Sequence, residues 1–369
     1  APDLCESLLT PRAGHAATVL ADGRVLITGG YQIQNGVRVA LARAELYDAS
    51  TGSFRDAPEV SLSARAFHSA SVLGQGQVLV AGGESYAADG TPSPLKAAVV
   101  LNAALAPIGV STLSVARAHH AAVADFGGRV LLLGGVAEGG VAASAIEWFD
   151  PASLVSAVAP STLPRSQVAA SPVNGGALIA VAGGTDGTAV SDEVRFYRFD
   201  GRTFTQQPSA RLRQRRRQAA MAPYGDGTRL WVGGGLGDAA DTPDTAPLAS
   251  SELALSAGNG FNVDEGPTFH ARALPCAVTL EDGRVLTVGG QEGNAFLGAR
   301  GSDFAEVLTP SPSGEVSVLG APKLPIARHD HTCTRLPDGS VLVLGGVREV
   351  GSTAESLSDA QLYTPAPSP

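Results

Sequence analysis

The chain has 369 residues, with 26 Lys and Arg against 35 Asp and Glu, for a net charge of −9. That acidity argues against a general nucleic-acid binder, and no run of about 18 apolar residues is present to cross a membrane as a helix. Only 17% of residues are charged and 45 are glycine, as expected of tightly packed strands and turns in a chain long enough to bury a large core.

In chain order, the first unit opens with "PRAGHAATVLADGRVLITGG" at 11–30. It reads as a strand, a tight turn at Asp22-Gly23, and a second strand ending in a glycine doublet; Asp-Gly accepts the positive φ angles of a hairpin turn. A third strand, "AELYD", and a fourth, around "SFRDAPEV", follow. The second unit repeats the plan with "QVLVAGG" and "AAVVL", the third with "RVLLLGG" and "AIEWFD", and the fourth with "LIAVAGG" and "DEVRFY". The fifth has "RLWVGGG" and "SELAL", the sixth "RVLTVGG" and "AEVLT", the seventh "SVLVLGG" and "AQLYT". The doublets start at Gly29, Gly82, Gly134, Gly183, Gly234, Gly289 and Gly345. Short Val- and Leu-rich runs read as buried strands, and four strands in about fifty residues leave almost no room for helix.

One such unit is a small sheet with two apolar faces and cannot bury both alone. Radial packing of seven solves this and leaves only short edges. The sequence therefore predicts an all-β, seven-bladed β-propeller of four-stranded blades, one domain over 1–369. Its blades begin near residues 12, 65, 117, 165, 216, 272 and 328. The seventh unit ends after its third strand, so residues 1–11, chiefly 3–8, are expected to add the outer strand of blade 7 and close the ring.

The seven doublets, the apolar run before each, and third strands carrying Tyr47, Phe149 and Tyr363 resemble the kelch family of β-propellers, in a bacterial form. The second aromatic of that family is Trp, where this chain has Phe54, Phe204 and Phe261 near that place and the other units lack it. The resemblance raises one enzymatic precedent, the galactose-oxidase-like copper enzymes, whose site needs a Tyr cross-linked to Cys, a second Tyr and two His. This chain has no Tyr-His neighbour pair and its cysteines fall elsewhere, so no copper chemistry, metal or cofactor is expected. Sugar-acid epimerisation also occurs on kelch propellers, but no residue set here demands it.

An arginine precedes each first strand: Arg12, Arg65, Arg117, Arg165, Arg216, Arg272 and Arg328. Five third strands carry Glu45, Glu147, Glu193, Glu252 and Glu306. Because buried charges are usually paired, these read as repeated ion pairs rather than an anion-binding ring. His15, His68, His120 and His331 recur three residues after the arginine. A metal would need them to converge on one point; hydrogen bonding between blades is the expected role. Cys276 and Cys333 fall on opposite faces of neighbouring inner strands, so a disulfide between them is open, leaving Cys5 unpaired.

Candidate ligand-binding residues are those that break the repeat. "RLRQRRRQ" offers Arg213, Arg215 and Arg217, which would share a face if the segment starts a strand. His119, His329 and Asp330 stand at the same mouth, beside long loops of the kind that carry binding on rigid scaffolds. The function expected from these features is a non-catalytic, exported binding module that displays loops to a protein or glycan partner, as a monomer or part of a larger assembly. Two alternatives stand beside it: an enzyme acting on a sugar or small anion at the channel mouth, and a structural subunit of a surface assembly.

Overall fold

A computed structural model describes residues 3–4, 6–237, 246–257, 260–293, 300–311 and 315–366. It contains seven four-stranded antiparallel sheets arranged as a β-propeller. In blade 1 the order from the axis outward is Ala16–Val19, Val25–Thr28, Ala44–Asp48, Ser53–Asp56. The inner strands of neighbouring blades touch one another around the axis.

Each second strand is sandwiched between two blades, which explains why its sequence is apolar at nearly every position rather than alternating. In Val25–Thr28 all four residues are buried. Leu26 packs toward blade 2 with Val78 and Val80, while Val25 and Ile27 pack toward blade 7 with Leu342 and Leu344. The core is thus a circle of interfaces between blades.

The ring closes as the sequence predicts, with a shorter strand. Asp3–Leu4 pairs with the third strand of blade 7, Asp3 opposite Leu362 and Leu4 opposite Gln361. Leu8 then donates its N–H to Ser358 O at 2.8 Å and is buried between blades 7 and 1. Cys5 lies outside the described residues.

The doublets link successive blades. Gly30 donates its N–H to Arg65 O, Gly83 to Arg117 O, Gly184 to Arg216 O, Gly235 to Arg272 O and Gly290 to Arg328 O, each at 2.9 or 3.0 Å. A Cβ on Gly29, which has φ +56, would lie 2.4 Å from Arg65 O. Only glycine fits that approach and that backbone angle.

Six of the seven repeated arginines are paired with a carboxylate within their blades. Arg12 meets Glu45 at 2.5 Å, Arg117 meets Glu147 at 2.7 Å, Arg216 meets Glu252 at 2.8 Å and Arg272 meets Glu306 at 2.6 Å. Arg165 pairs with Glu193, and Arg328 with Asp359. The histidines reach back one blade: His15 Nε2 to Thr332 Oγ1, His68 to Thr28 Oγ1, His120 to Ser69 Oγ and His331 to Val288 O. Burial lowers the pKa of all four and keeps them neutral. Cys276 and Cys333 are joined in a disulfide between the inner strands of blades 6 and 7, with Cα atoms 5.9 Å apart.

Candidate functional site

The residue two positions after each repeated arginine is left-handed in all seven blades. These are Gly14, Phe67, His119, Gln167, Gln218, Leu274 and Asp330, with φ of 58, 51, 53, 57, 55, 50 and 53°. Non-glycine residues rarely adopt this region, and they persist in it only where surrounding structure fixes them. Here five backbone bonds around the circle of seven residues help do so: Gly14 N–H donates to Asp330 O, Phe67 to Gly14 O, His119 to Phe67 O, Gln218 to Gln167 O and Leu274 to Gln218 O. The circle lines a cavity of about 680 Å³ at the channel mouth, together with Arg38, Gln291 and His329.

One side of the mouth is walled by four adjacent hairpins between second and third strands. They are Gln291–Glu292 with Arg300–Gly301, Val347–Val350 with Thr353–Ser356, Tyr31–Gln34 with Val37–Ala40, and Glu84–Tyr86 with Pro92–Pro94. Because each hairpin starts directly after a doublet, its first residues are carried to the cavity edge.

Two chains of polar groups meet there. In the first, Tyr86 donates its hydroxyl to Glu84 Oε1 at 2.6 Å, and Glu84 Oε2 lies 3.5 Å from His119 Nε2. Burial opposes the charge on Glu84, yet the hydrogen bonds from His119 and Tyr86 outweigh it and lower its pKa. His119 stacks on Phe67 at 3.9 Å. Nε2 is the ring nitrogen turned to the carboxylate, so Nδ1 is the one free of that contact.

In the second chain, Tyr31 donates to Asp330 Oδ2 at 2.8 Å, Asp330 Oδ2 lies 3.5 Å from His329 Nδ1, and His329 Nε2 lies 3.0 Å from Glu349 Oε1. Burial disfavours the imidazolium, but Asp330 and Glu349 together prevail and raise the pKa of His329. Burial likewise opposes the Asp330 charge, and His329 and Tyr31 overcome it, holding that carboxyl at about 2. Both nitrogens of His329 face carboxylates, which favour a positive charge there. Arg38 supplies a second, stacked over Tyr31 at 4.6 Å and Phe67 at 5.7 Å.

The structure thus gathers His119, His329 and Asp330 around one cavity. It separates the three arginines. The fourth-blade strand ends at Arg211 and the next begins at Ala220, so Arg213, Arg215 and Arg217 share no strand face. The reason is that Glu252 captures the N–H groups of Arg213 and Gln214 and bends the chain before the strand starts. Arg213 is exposed, 3.8 Å from Asp264, and Arg215 is exposed too. Arg217 donates to Gln167 Oε1 at 2.7 Å and so reaches the cavity wall indirectly.

Sequence reasoning passed over Tyr31, Arg38, Glu84, Tyr86 and Glu349. The available signal was position: Tyr31 and Glu84 directly follow a doublet, and Glu349 comes three residues after one.

The chain is similar to a solved copper complex described as a novel fungal alcohol oxidase with catalytic diversity among the AA5 family. The TM-score is 0.73 with 16% identity, over 99% of this chain and 76% of that one. It is also similar to the structure of YjhT, with TM-score 0.59 and 13% identity, over 86% of this chain and 99% of that one. These likenesses establish the propeller fold. No family model matches the chain, so kelch membership stands as a resemblance. No curated protein matches it either.

The expectation of a non-catalytic module is corrected here. A scaffold shared over 99% of this chain belongs to an oxidase, and the mouth holds a histidine–carboxylate pair, His119 and Glu84, rather than bare display loops. The copper of that oxidase does not fit the donor set. Among the described residues no group of three His, Cys, Asp or Glu converges as metal ligands. Cys276 and Cys333 are consumed in a disulfide, and Tyr31 is committed to Asp330. Among the described residues no helix is long and apolar enough to cross a membrane.

Proposed function

We propose that the protein is an enzyme acting on a sugar or other small hydroxylated, anionic substrate at the channel mouth, by proton transfer. The observation that carries this reading is the chain Tyr86–Glu84–His119, which opens on a cavity of about 680 Å³ that also holds Arg38. Glu84 orients His119 as a general base, in the way a buried carboxylate holds a catalytic imidazole. Arg38 and the imidazolium of His329 stabilise negative charge on the substrate or its transition state. Gln167, Gln218 and Gln291 offer amide donors and acceptors to hydroxyl groups. The bond changes suited to this set are isomerisation or elimination beside a carbonyl, which need no net oxidant.

An exported location fits the disulfide, since such bonds persist in oxidising compartments. A panel of aldoses, uronic acids and aldonic acids, followed by proton NMR, tests the substrate class. Turnover of one member, with KM raised at least tenfold by Arg38→Ala, supports the proposal. Absence of turnover across the panel, or an unchanged KM in the variant, counts against it.

A further inference from the structure

The seven repeated arginines are not equivalent, because Arg65 meets no carboxylate among the described residues. The residue is 1% exposed. NH1 donates to Gly82 O at 3.0 Å and Ala97 O at 3.2 Å, Nε to Ser63 O at 3.2 Å, and NH2 to Ser63 Oγ at 2.8 Å. The missing partner traces to the third strand of blade 2. Val99 lies opposite Val80 there, as Glu45 lies opposite Ile27 in blade 1.

The carboxylate absent from blade 2 has more than one task elsewhere. Glu45 accepts from Arg12 NH2 and also from the backbone N–H groups of Leu9, at 2.8 Å, and Thr10, at 3.0 Å. Glu252 repeats this with Arg216, Arg213 N and Gln214 N. Glu306 does so with Arg272 and His270 N. In these three blades the backbone of the entry is therefore shaped to aim a guanidinium and one or two amide N–H groups at a single negative group.

In blade 2 the counterparts of Leu9 and Thr10 are Leu62 and Ser63, and their N–H groups meet no carboxylate among the described residues. Ser63 adds a hydroxyl to the set. Valine stops short of the place where a glutamate puts its two oxygens. A buried cation without a counter-charge is costly. Burial alone pulls Arg65 down to about 10, so it is still charged near neutral pH.

We propose that blade 2 binds a small monovalent anion, of the size of chloride or of a formate-like carboxylate, where other blades place their glutamate oxygens. The donors are Arg65 NH2, the Ser63 hydroxyl and the N–H groups of Leu62 and Ser63. Ser63 is exposed, which gives the ion a path from solvent. The site adjoins the segment that supplies the carboxylate orienting the candidate base, because Arg65 also holds Gly82 O, two residues before Glu84.

Bromide-soaked crystals of the whole chain, read by anomalous scattering, test this directly. A peak within hydrogen-bond reach of Arg65 NH2 and Ser63 N is expected. Replacing gluconate by chloride at constant ionic strength should raise the melting temperature by about 2 °C or more. Formate in place of chloride shows whether a carboxylate or a halide binds better. Val99→Glu supplies the carboxylate covalently and should abolish both the peak and the chloride-specific shift. No bromide at Arg65 in the wild type overturns the proposal, whether or not the variant folds. An equal chloride shift in wild type and variant does the same.

Discussion

Gly346 donates its backbone N–H to Arg12 O at 2.9 Å, and this bond joins the last blade to the first. It is the same contact that links earlier doublets to the arginine of the next blade. A sequence feature that recurs about every fifty residues is thus explained by one inter-blade bond. The first glycine of each doublet makes room for the carbonyl that accepts it.

Alanine at Gly29 should therefore cost both a left-handed backbone and a clash with Arg65 O, about 2–4 kcal/mol in all. Gly36 provides the control. It has φ +79, but a Cβ there would meet nothing within 4 Å, so Gly36→Ala should cost only about 1–2 kcal/mol. Urea unfolding of both variants checks this, and equal losses would refute the close-approach argument.

Acid should destabilise the propeller through its buried histidines. Burial, helped by neighbouring arginines, holds His68 and His331 at about 3, against about 6.5 in an unfolded chain. Between those values the unfolded chain binds more protons than the fold. The contribution is complete above about pH 6.5 and is lost as pH falls toward 3, by about 1.4 kcal/mol per pH unit for each group. His329 works in the other sense. Its folded pKa is raised, so its contribution is present below about 6.5 and fades as pH rises through the folded value. Urea unfolding at pH 7, 6 and 5 should show a shallower acid loss in His68→Gln, whose amide can still reach Thr28. An unchanged slope would contradict the assignment.

The arginine cluster should divide in turnover assays. Arg217 positions Gln167 through a 2.7 Å hydrogen bond, so Arg217→Ala should raise KM by about fivefold, the worth of one such bond, with kcat little changed. Arg213 faces Asp264 at the surface, and Arg213→Ala should leave both constants within twofold. The opposite ranking would return the outer arginines to consideration.

Much of this architecture is legible in the sequence because a propeller writes its rules locally. Doublets, apolar second strands and the incomplete seventh unit each state a constraint inside one blade or at its border. The pairing of Arg12 with Glu45 and of its repeats follows from the same regularity. The disulfide between Cys276 and Cys333 was readable as an open possibility from strand parity alone. The mouth was harder to read. Glu84 and His119 come from different blades, and their meeting depends on hairpin shape and on left-handed backbone that no residue pattern announces. The arginine run misled because Glu252, 39 residues beyond Arg213, takes its backbone and prevents a strand. Asp359, the partner of Arg328, escaped notice because it stands just before its strand rather than within it.

The central claim is that His119, oriented by Glu84, moves a substrate proton at the channel mouth without a metal. The most direct measurement is solvent-deuterium incorporation into the turned-over sugar or sugar acid, by proton NMR, after treatment of the protein with a chelator. Wild type should exchange the proton at full rate after chelation, His119→Gln should lose at least 100-fold, and Glu84→Gln should lose about 10-fold or more. Exchange abolished by the chelator, or retained in His119→Gln, would contradict the account.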